Sequence, residues 1–432
     1  MPSPTTSSAA APIDLAVVGA GAAGLMAAII AGRTAKAASK RWRIVAFDGA
    51  KSLGAKILIA GGGRCNVTHF EVSERDYHGS TPPAIRKVLR RFTVEDTTAF
   101  FREFGVELKR EETGKLFPIA DDAHVVLEAL LRAAREAGVE LRHPCRVTGV
   151  EPIAEALSGD GASPRFRLAT ADGEFLARRV VLATGGLSFP KTGSDGAGYA
   201  FAKACGHTLT PLVTPSLVPL LLAEGHWIRD LSGIAHDAEL LLRSGTGKML
   251  ARVRGSLLCT HFGLSGPCAL DASRSWIHAH RADSGTSLEV NWFPGETIDS
   301  IDRALLETGS RGVLAWLRDR LPDRLAKALL DAADCDASTK VHQWPKDRRR
   351  ALATLLAATP LPVVGDRGYA YAEVTAGGVP LAEIDLDSMQ SRRTPGLFLC
   401  GEICDVDGRI GGFNFQWAWA SGFLAGGAAA AN

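Results

Sequence analysis

The sequence predicts an α/β protein whose main domain, a parallel sheet built on a βαβ unit, is split along the chain by an inserted domain. Three observations carry this. Residues 13–18 (IDLAVV), a glycine turn and an alanine-rich stretch at 22–38 open the chain as strand, turn and helix. A second buried-strand pattern, GLFLCG at 396–401, returns near the C-terminus, followed by Gly411-Gly412 and a helical pattern at 414–429. Between them, from about 195 to 365, the texture changes to short apolar runs broken by Pro and Gly, then to a leucine-rich helical pattern.

Composition bounds the rest. In 432 residues, 46% are hydrophobic and 22% charged, enough for sizeable cores. The formal charge of +2 gives no bulk electrostatic case for nucleic acid. Eight cysteines without a CxxC pair do not make a disulfide framework, so a reducing cytoplasm is the expected compartment. Residues 1–12 lack a basic segment and an apolar core, and read as a disordered leader. No apolar run reaches the ~20 residues that span a bilayer, so no membrane partner is expected.

Taken in order, 42–47 (WRIVAF) is the second strand, ending at Asp48. Residues 84–104 suggest one or two amphipathic helices, and 123–137 another, closed by Gly138. Residues 165–170 and 174–182 read as a hairpin around Asp172-Gly173. Residues 207–260 suggest small β elements, and 297–357 are mostly helical in pattern.

The chemistry begins at Gly19-Ala20-Gly21-Ala22-Ala23-Gly24, between a strand and a helix. Gly19 permits a tight turn, Gly21 lets a pyrophosphate approach the backbone, and Gly24 lets helix and strand pack closely. Free N–H groups at the helix start favour phosphate. Asp48, 24 residues after Gly24, is placed for a ribose hydroxyl. This is a Rossmann-type dinucleotide turn. Further elements favour FAD over NAD. AGGGRCNVT at 60–68 brings Gly62, Gly63, Arg64, Cys65 and Asn66 into a loop able to lie against a ring or phosphate. Ala183-Thr184-Gly185-Gly186 follows an apolar strand, and Gly401-Glu402, Asp405 and Gly411-Gly412-Phe413-Asn414 lead into the last helix. N–H groups there suit negative charge on a reduced flavin. Lys56 and Val147 complete the expected cofactor set.

The blocks at 60–68, 260–267 (THFGLSGP), 375–379 (TAGGV) and 401–422 resemble the BaiN/RdsA-type family of bacterial NAD(P)/FAD-dependent oxidoreductases, over roughly 13–428. The resemblance implies an FAD-binding domain interrupted by a β-barrel-like domain that carries a helical insert. The expected limits are 13–194 and 366–432 for the FAD-binding parts and 195–365 for the substrate domain, β-rich at 195–272 and 340–365 and helical at about 273–339. It also implies reduction of a carbonyl-conjugated C=C bond by hydride transfer from flavin N5, with NADH or NADPH as a transient electron donor. Two substrates fit that chemistry: an enone-like small molecule, or a uracil base in 23S ribosomal RNA, giving dihydrouridine. A binding or assembly protein with FAD as a structural plug, and an oxidase or monooxygenase, are the rivals.

Several of these residues have plainer roles open to them as well. Cys65 is a candidate proton donor, or a small packing residue. Arg64 is a ligand to the cofactor, or an ion-paired arginine. His261 is a candidate acid from the inserted domain, or a structural histidine. His278 and His280 lie two apart with no further ligand cluster, so no metal site is expected. Basic runs at 86–91, 109–110, 346–350 and 392–393 would serve RNA if they converge, though solvated faces are the usual reading. GSDGAG at 193–198 has the wrong spacing for a second dinucleotide turn.

Overall fold

The structure is a computed structural model, describing residues 11–153, 163–308, 312–336, 340 and 344–431. The leader expected over 1–12 therefore lies outside the described residues, apart from Ala11 and Pro12. The chain forms two compact units, one of residues 1–213 and 374–432 and the other of 214–373.

The first unit is organised by a sheet whose parallel core joins Leu397–Leu399, Gly173–Leu182, Ile13–Val18, Ile44–Phe47 and Glu140–Arg142 in that order. Strands buried on both faces need continuous apolar runs, and Leu15, Ala16 and Val17 are fully buried. Strand Phe166–Thr170 adds antiparallel to Gly173–Leu182, so the sheet is mixed. Helix Ala22–Ala37 lies against the closing helix Phe413–Ala431. The approach is possible because Gly422 and Gly426 carry no side chain. A Cβ at these positions would sit 2.5 Å from the Ala23 carbonyl oxygen and 2.1 Å from that of Ala27. The QWAW run anchors the same helix. Trp417 Nε1 donates to the Gly401 carbonyl (3.0 Å), Trp419 Nε1 to that of Val67 (2.9 Å), and Gln416 Nε2 to that of Phe92 (2.9 Å). These bonds satisfy polar groups that burial would otherwise penalise.

The second unit holds a seven-stranded antiparallel sheet whose long hairpin is Ala235–Arg243 with Met249–Thr260. The strands at the two ends of its order, Thr359–Leu361 and Val363–Asp366, are separated in the chain by Pro362 alone, so the sheet curls back on itself. Helix Gly266–Ala282 packs on the hairpin.

Several boundaries differ from the sequence reading. The first break falls after Val213, not after residue 194, because helix Ala197–Ala204 packs on strand Val147–Pro152 and buries Tyr199, Phe201 and Ala202 in the first core. The return falls at Val374, not at 366. The helical stretch expected at 273–339 contains strand Ser287–Asn291, and the β-rich stretch expected at 340–365 contains helix Lys346–Ala357. Leu352, Ala353, Leu356 and Ala357 recur at helical spacing and are buried, which makes that segment a helix.

Candidate functional site

Four parallel strands end in register at Val18, Phe47, Leu182 and Leu399. The segments that follow them, 19–24, 48–50, 183–188 and 400–402, therefore gather at one edge of the sheet, where ligands of such sheets bind.

The glycines of the first turn divide by what a side chain would meet. Gly19 has φ +97°, and its Cβ would lie 2.5 Å from the Ala183 carbonyl oxygen. At Gly24 it would lie 1.8 Å from the carbonyl oxygen of Gly19, so strand and helix pack too closely for any side chain. Around Gly21 nothing lies within 4 Å. Its face is open at the start of a helix, as a pyrophosphate requires. Asp48 stands across this turn, accepting the Ala20 N–H (2.9 Å) and the Ala50 N–H (2.8 Å), one on each carboxylate oxygen. Each oxygen keeps a lone pair for a further donor. Val147 follows closely, since the Cys145 N–H donates to the Asp48 carbonyl (2.7 Å), but its own side chain is buried.

The loop at 60–66 leaves helical geometry at Ala60, Gly61 and Gly62. Gly62 (φ +70°) has no neighbour within 4 Å, and Gly63 (φ +87°) has only the Leu58 carbonyl at 3.9 Å. Asn66 is buried, and its Oδ1 has no hydrogen-bond partner among the described residues; neither has Thr184 Oγ1. An open glycine face, a carboxylate with free lone pairs and an orphaned amide oxygen fit a dinucleotide with ribose hydroxyls.

Other expected site residues are engaged by the protein itself. Arg64 donates to Glu111 (2.7 Å), lies 3.5 Å from Asp121 and rests over the Phe117 ring. Those carboxylates hold its guanidinium above its usual range. Cys65 is wholly enclosed at φ +59°, and burial pushes its thiol up to about 12. In this arrangement the sulfur is out of reach of anything at the surface, the environment of a small packing residue. Glu402 accepts from Lys56 Nζ (2.5 Å), Ser188 Oγ (2.8 Å) and the Thr375 N–H (3.0 Å). Thr375 Oγ1 in turn accepts the Leu187 and Ser188 N–H groups (2.7 and 3.1 Å). This cluster fastens together the segments that carry Lys56, Gly186 and Glu402. Ser188 and Thr375 were not singled out from the sequence as site residues, although Thr375 begins the TAGGV block.

The C-terminal glycines also have internal reasons. A Cβ on Gly401 would meet that of Ala23 at 2.7 Å, on Gly412 the Thr68 backbone at 2.5 Å, on Gly185 Ser194 Oγ at 2.2 Å, and on Gly186 Thr375 Oγ1 at 2.4 Å. Gly411 (φ +128°) keeps its Cβ position 3.2 Å from the Phe413 ring. Asn414 clamps Gly408 from both sides, accepting its N–H (2.8 Å) and donating to its carbonyl (2.9 Å). Phe413 stacks on His69, and its carbonyl accepts from Tyr77 OH (2.8 Å). Asp405 is buried and accepts from Ser80 Oγ (3.3 Å).

His261 belongs to the second unit, where its carbonyl accepts from Arg229 Nε (2.9 Å) and its exposed ring meets Phe262 edge-on. His278 Nε2 lies 3.0 Å from Thr214 Oγ1, and His280 stacks on Trp276. Among the described residues no His, Cys, Asp or Glu group is arranged to hold a metal ion, and no helix is long and apolar enough to cross a membrane.

Comparison with known proteins agrees with this architecture. The chain is 33% identical over 421 residues to the 3-dehydro-bile acid delta(4,6)-reductase of Clostridium scindens, covering 96% of this chain and 98% of that protein. It is 31% and 30% identical to the ribosomal RNA dihydrouridine synthases of Escherichia coli and Haemophilus influenzae, each over 94% of this chain and 96% of the relative. The family model described as the HI0933-like protein Rossmann domain matches residues 13–428. The chain belongs to the HI0933-like family.

Proposed function

We propose that this chain is an FAD-dependent oxidoreductase that reduces a carbonyl-conjugated C=C bond of a small molecule, with NADH or NADPH as electron source. The observation that carries the cofactor assignment is the open face of Gly21, set between a buried strand and a helix with Asp48 across from it. In this reading Gly21 and the first N–H groups of helix Ala22–Ala37 hold the pyrophosphate, and Asp48 holds a ribose hydroxyl. Gly62, Gly63 and the amide of Asn66 line the cofactor, while Lys56, Ser188, Thr375 and Glu402 keep its loops in place. When bound, FAD supplies the two-electron chemistry; the protein supplies orientation and a dry site. A conjugated carbonyl matters because the charge that builds on its oxygen can be met by donors.

The printed names of the relatives support reduction of an enone or of a uracil ring. The small-molecule substrate is favoured by the state of the basic runs. Lys87 and Arg91 share Asp387, Arg86 pairs with Glu74 and Lys109 with Asp121. Arg349 and Arg350 pair with Asp302 and Asp299, and Arg392 and Arg393 with Asp385 and Glu383. Charges paired in this way contribute less to a phosphate footprint, and Arg90, Arg110 and Lys346 are the members of these runs without an ion pair among the described residues. The test is anaerobic addition of NADH or NADPH to the yellow holoprotein, followed by an enone. Bleaching by the donor and recovery of colour with the enone is the expected result. No bleaching with any donor contradicts the enzyme reading, and loss of a dihydrouridine from ribosomal RNA in a deletion strain moves the substrate to RNA.

A further inference from the structure

Among the described residues, three guanidinium groups each lie over two aromatic rings. Arg33 lies over Phe100 and Phe104 and is paired with Glu103; Arg320 lies over Phe293 and Trp316 and is paired with Glu296. The third is Arg367 in the second unit. Its Cζ sits 4.3 Å from the Phe262 centroid and 3.5 Å from that of Tyr371, and its guanidinium makes no hydrogen bond or ion pair with any described residue. The adjacent carboxylate of Asp366 is turned to the Gly368 N–H (2.7 Å).

The sheet builds this arrangement. Strand Leu220–Leu222 pairs with Gly263–Ser265 on one side and Val363–Asp366 on the other. The Leu222 N–H donates to the Phe262 carbonyl (3.1 Å), and the Arg367 N–H to the Pro219 carbonyl (3.1 Å). Phe262 and Arg367 thus extend from the two flanking strands beside one central strand. Tyr371 reaches the guanidinium from the turn in which its N–H donates to the Gly368 carbonyl (3.0 Å). His261 stands next to Phe262 with an exposed ring that has no hydrogen-bond partner among the described residues.

We propose that the Phe262–Arg367–Tyr371 stack is an oxyanion-binding site, taking the carboxylate or phosphate of a ligand on the free edge of the Arg367 guanidinium. A planar fork lying against two aromatic rings has already lost much of its rotational freedom, so pairing with a bidentate oxyanion costs little further ordering. The two comparable stacks show the same edge satisfied by a carboxylate of the protein. Here no carboxylate among the described residues fills that edge. The proposal does not depend on the flavin reading.

The experiment is labelling of the full-length protein with phenylglyoxal, read peptide by peptide by mass spectrometry, in chloride, acetate and inorganic phosphate at equal ionic strength. Arg254, exposed on the hairpin, is the internal control. The expected result is labelling of Arg367 slowed at least about threefold by acetate or phosphate, with Arg254 unchanged. Protection by phosphate alone assigns the site to phosphorylated ligands, by acetate alone to organic acids, and by both to either. Tyr371→Leu, checked for native circular dichroism, is expected to label Arg367 faster and to lose the protection. Equal labelling in all three salts, or no labelling of Arg367 in any of them, overturns the proposal.

Discussion

The glycines of residues 19–63 and those near the C-terminus look alike as sequence, yet they fall into two structural groups. At Gly21, Gly62 and Gly63 an added Cβ meets open space or a single distant carbonyl. At Gly401, Gly412, Gly422 and Gly426 it would strike the protein itself. The first group leaves room for something outside the chain; the second lets two ends of the chain approach each other. A glycine-rich signature therefore mixes two demands, and only the first of them speaks of a ligand.

The largest expected effect lies on the packed side of this comparison. Gly24→Ala places a methyl 1.8 Å from the Gly19 carbonyl oxygen, with only backbone to yield. A loss of about 3 kcal/mol or more is expected, as for severe overpacking, and urea unfolding of the cofactor-free protein measures it.

The buried cluster of His207 and Glu383 extends the comparison to polar groups with complete internal partners. His207 Nδ1 lies 2.9 Å from Glu383, and Nε2 lies 2.7 Å from Ser391 Oγ. Burial alone would raise the Glu383 carboxyl, but the Thr208 N–H, Arg393, the Thr208 hydroxyl and His207 outweigh it and hold it at about 2. Burial holds His207 below its ordinary value against the pull of the same carboxylate. Both groups bind fewer protons folded than unfolded. Their stabilisation is therefore complete above pH 6.5, the His207 share fades as pH falls below 6.5, and the Glu383 share fades between 4.5 and about 2. Glu383→Gln is expected to cost about 2–4 kcal/mol at neutral pH and to flatten the pH 4.5-to-2 part of the stability curve. An unchanged curve would mean the cluster is not closed.

The smallest effect concerns the thiols. All eight cysteines are free and buried, so a thiol reagent is expected to label none of them quickly in the folded protein and all eight in urea. Fast labelling of Cys65 would show that its loop opens and would restore it as a candidate donor.

Much of the first unit was legible because its constraints are local. A buried parallel strand needs a continuous apolar run, and a tight turn before a helix needs glycine at fixed spacing; residues 13–24 carry both signals. The partners of Lys56 were not legible. Its contacts to Ser188 and Glu402 span 132 and 346 residues, and no short-range pattern encodes such a meeting. Cys65 stayed open between proton donor and packing residue, because its exposure depends on segments that cover it from elsewhere. Helix Lys346–Ala357 falls inside the stretch 297–357 read as helical in pattern but also inside the expected β-rich segment 340–365; its buried leucines at helical spacing decide between the two.

The central claim is tested most directly by Gly21→Ala. The backbone there, φ −79° and ψ −163°, is open to any residue, and the methyl touches nothing in the protein. The account predicts a cofactor-free variant within about 1 kcal/mol of the parent in stability, with FAD affinity reduced at least about tenfold in a fluorescence titration, a change of about 1.4 kcal/mol or more. A variant that binds FAD as tightly as the parent would contradict it.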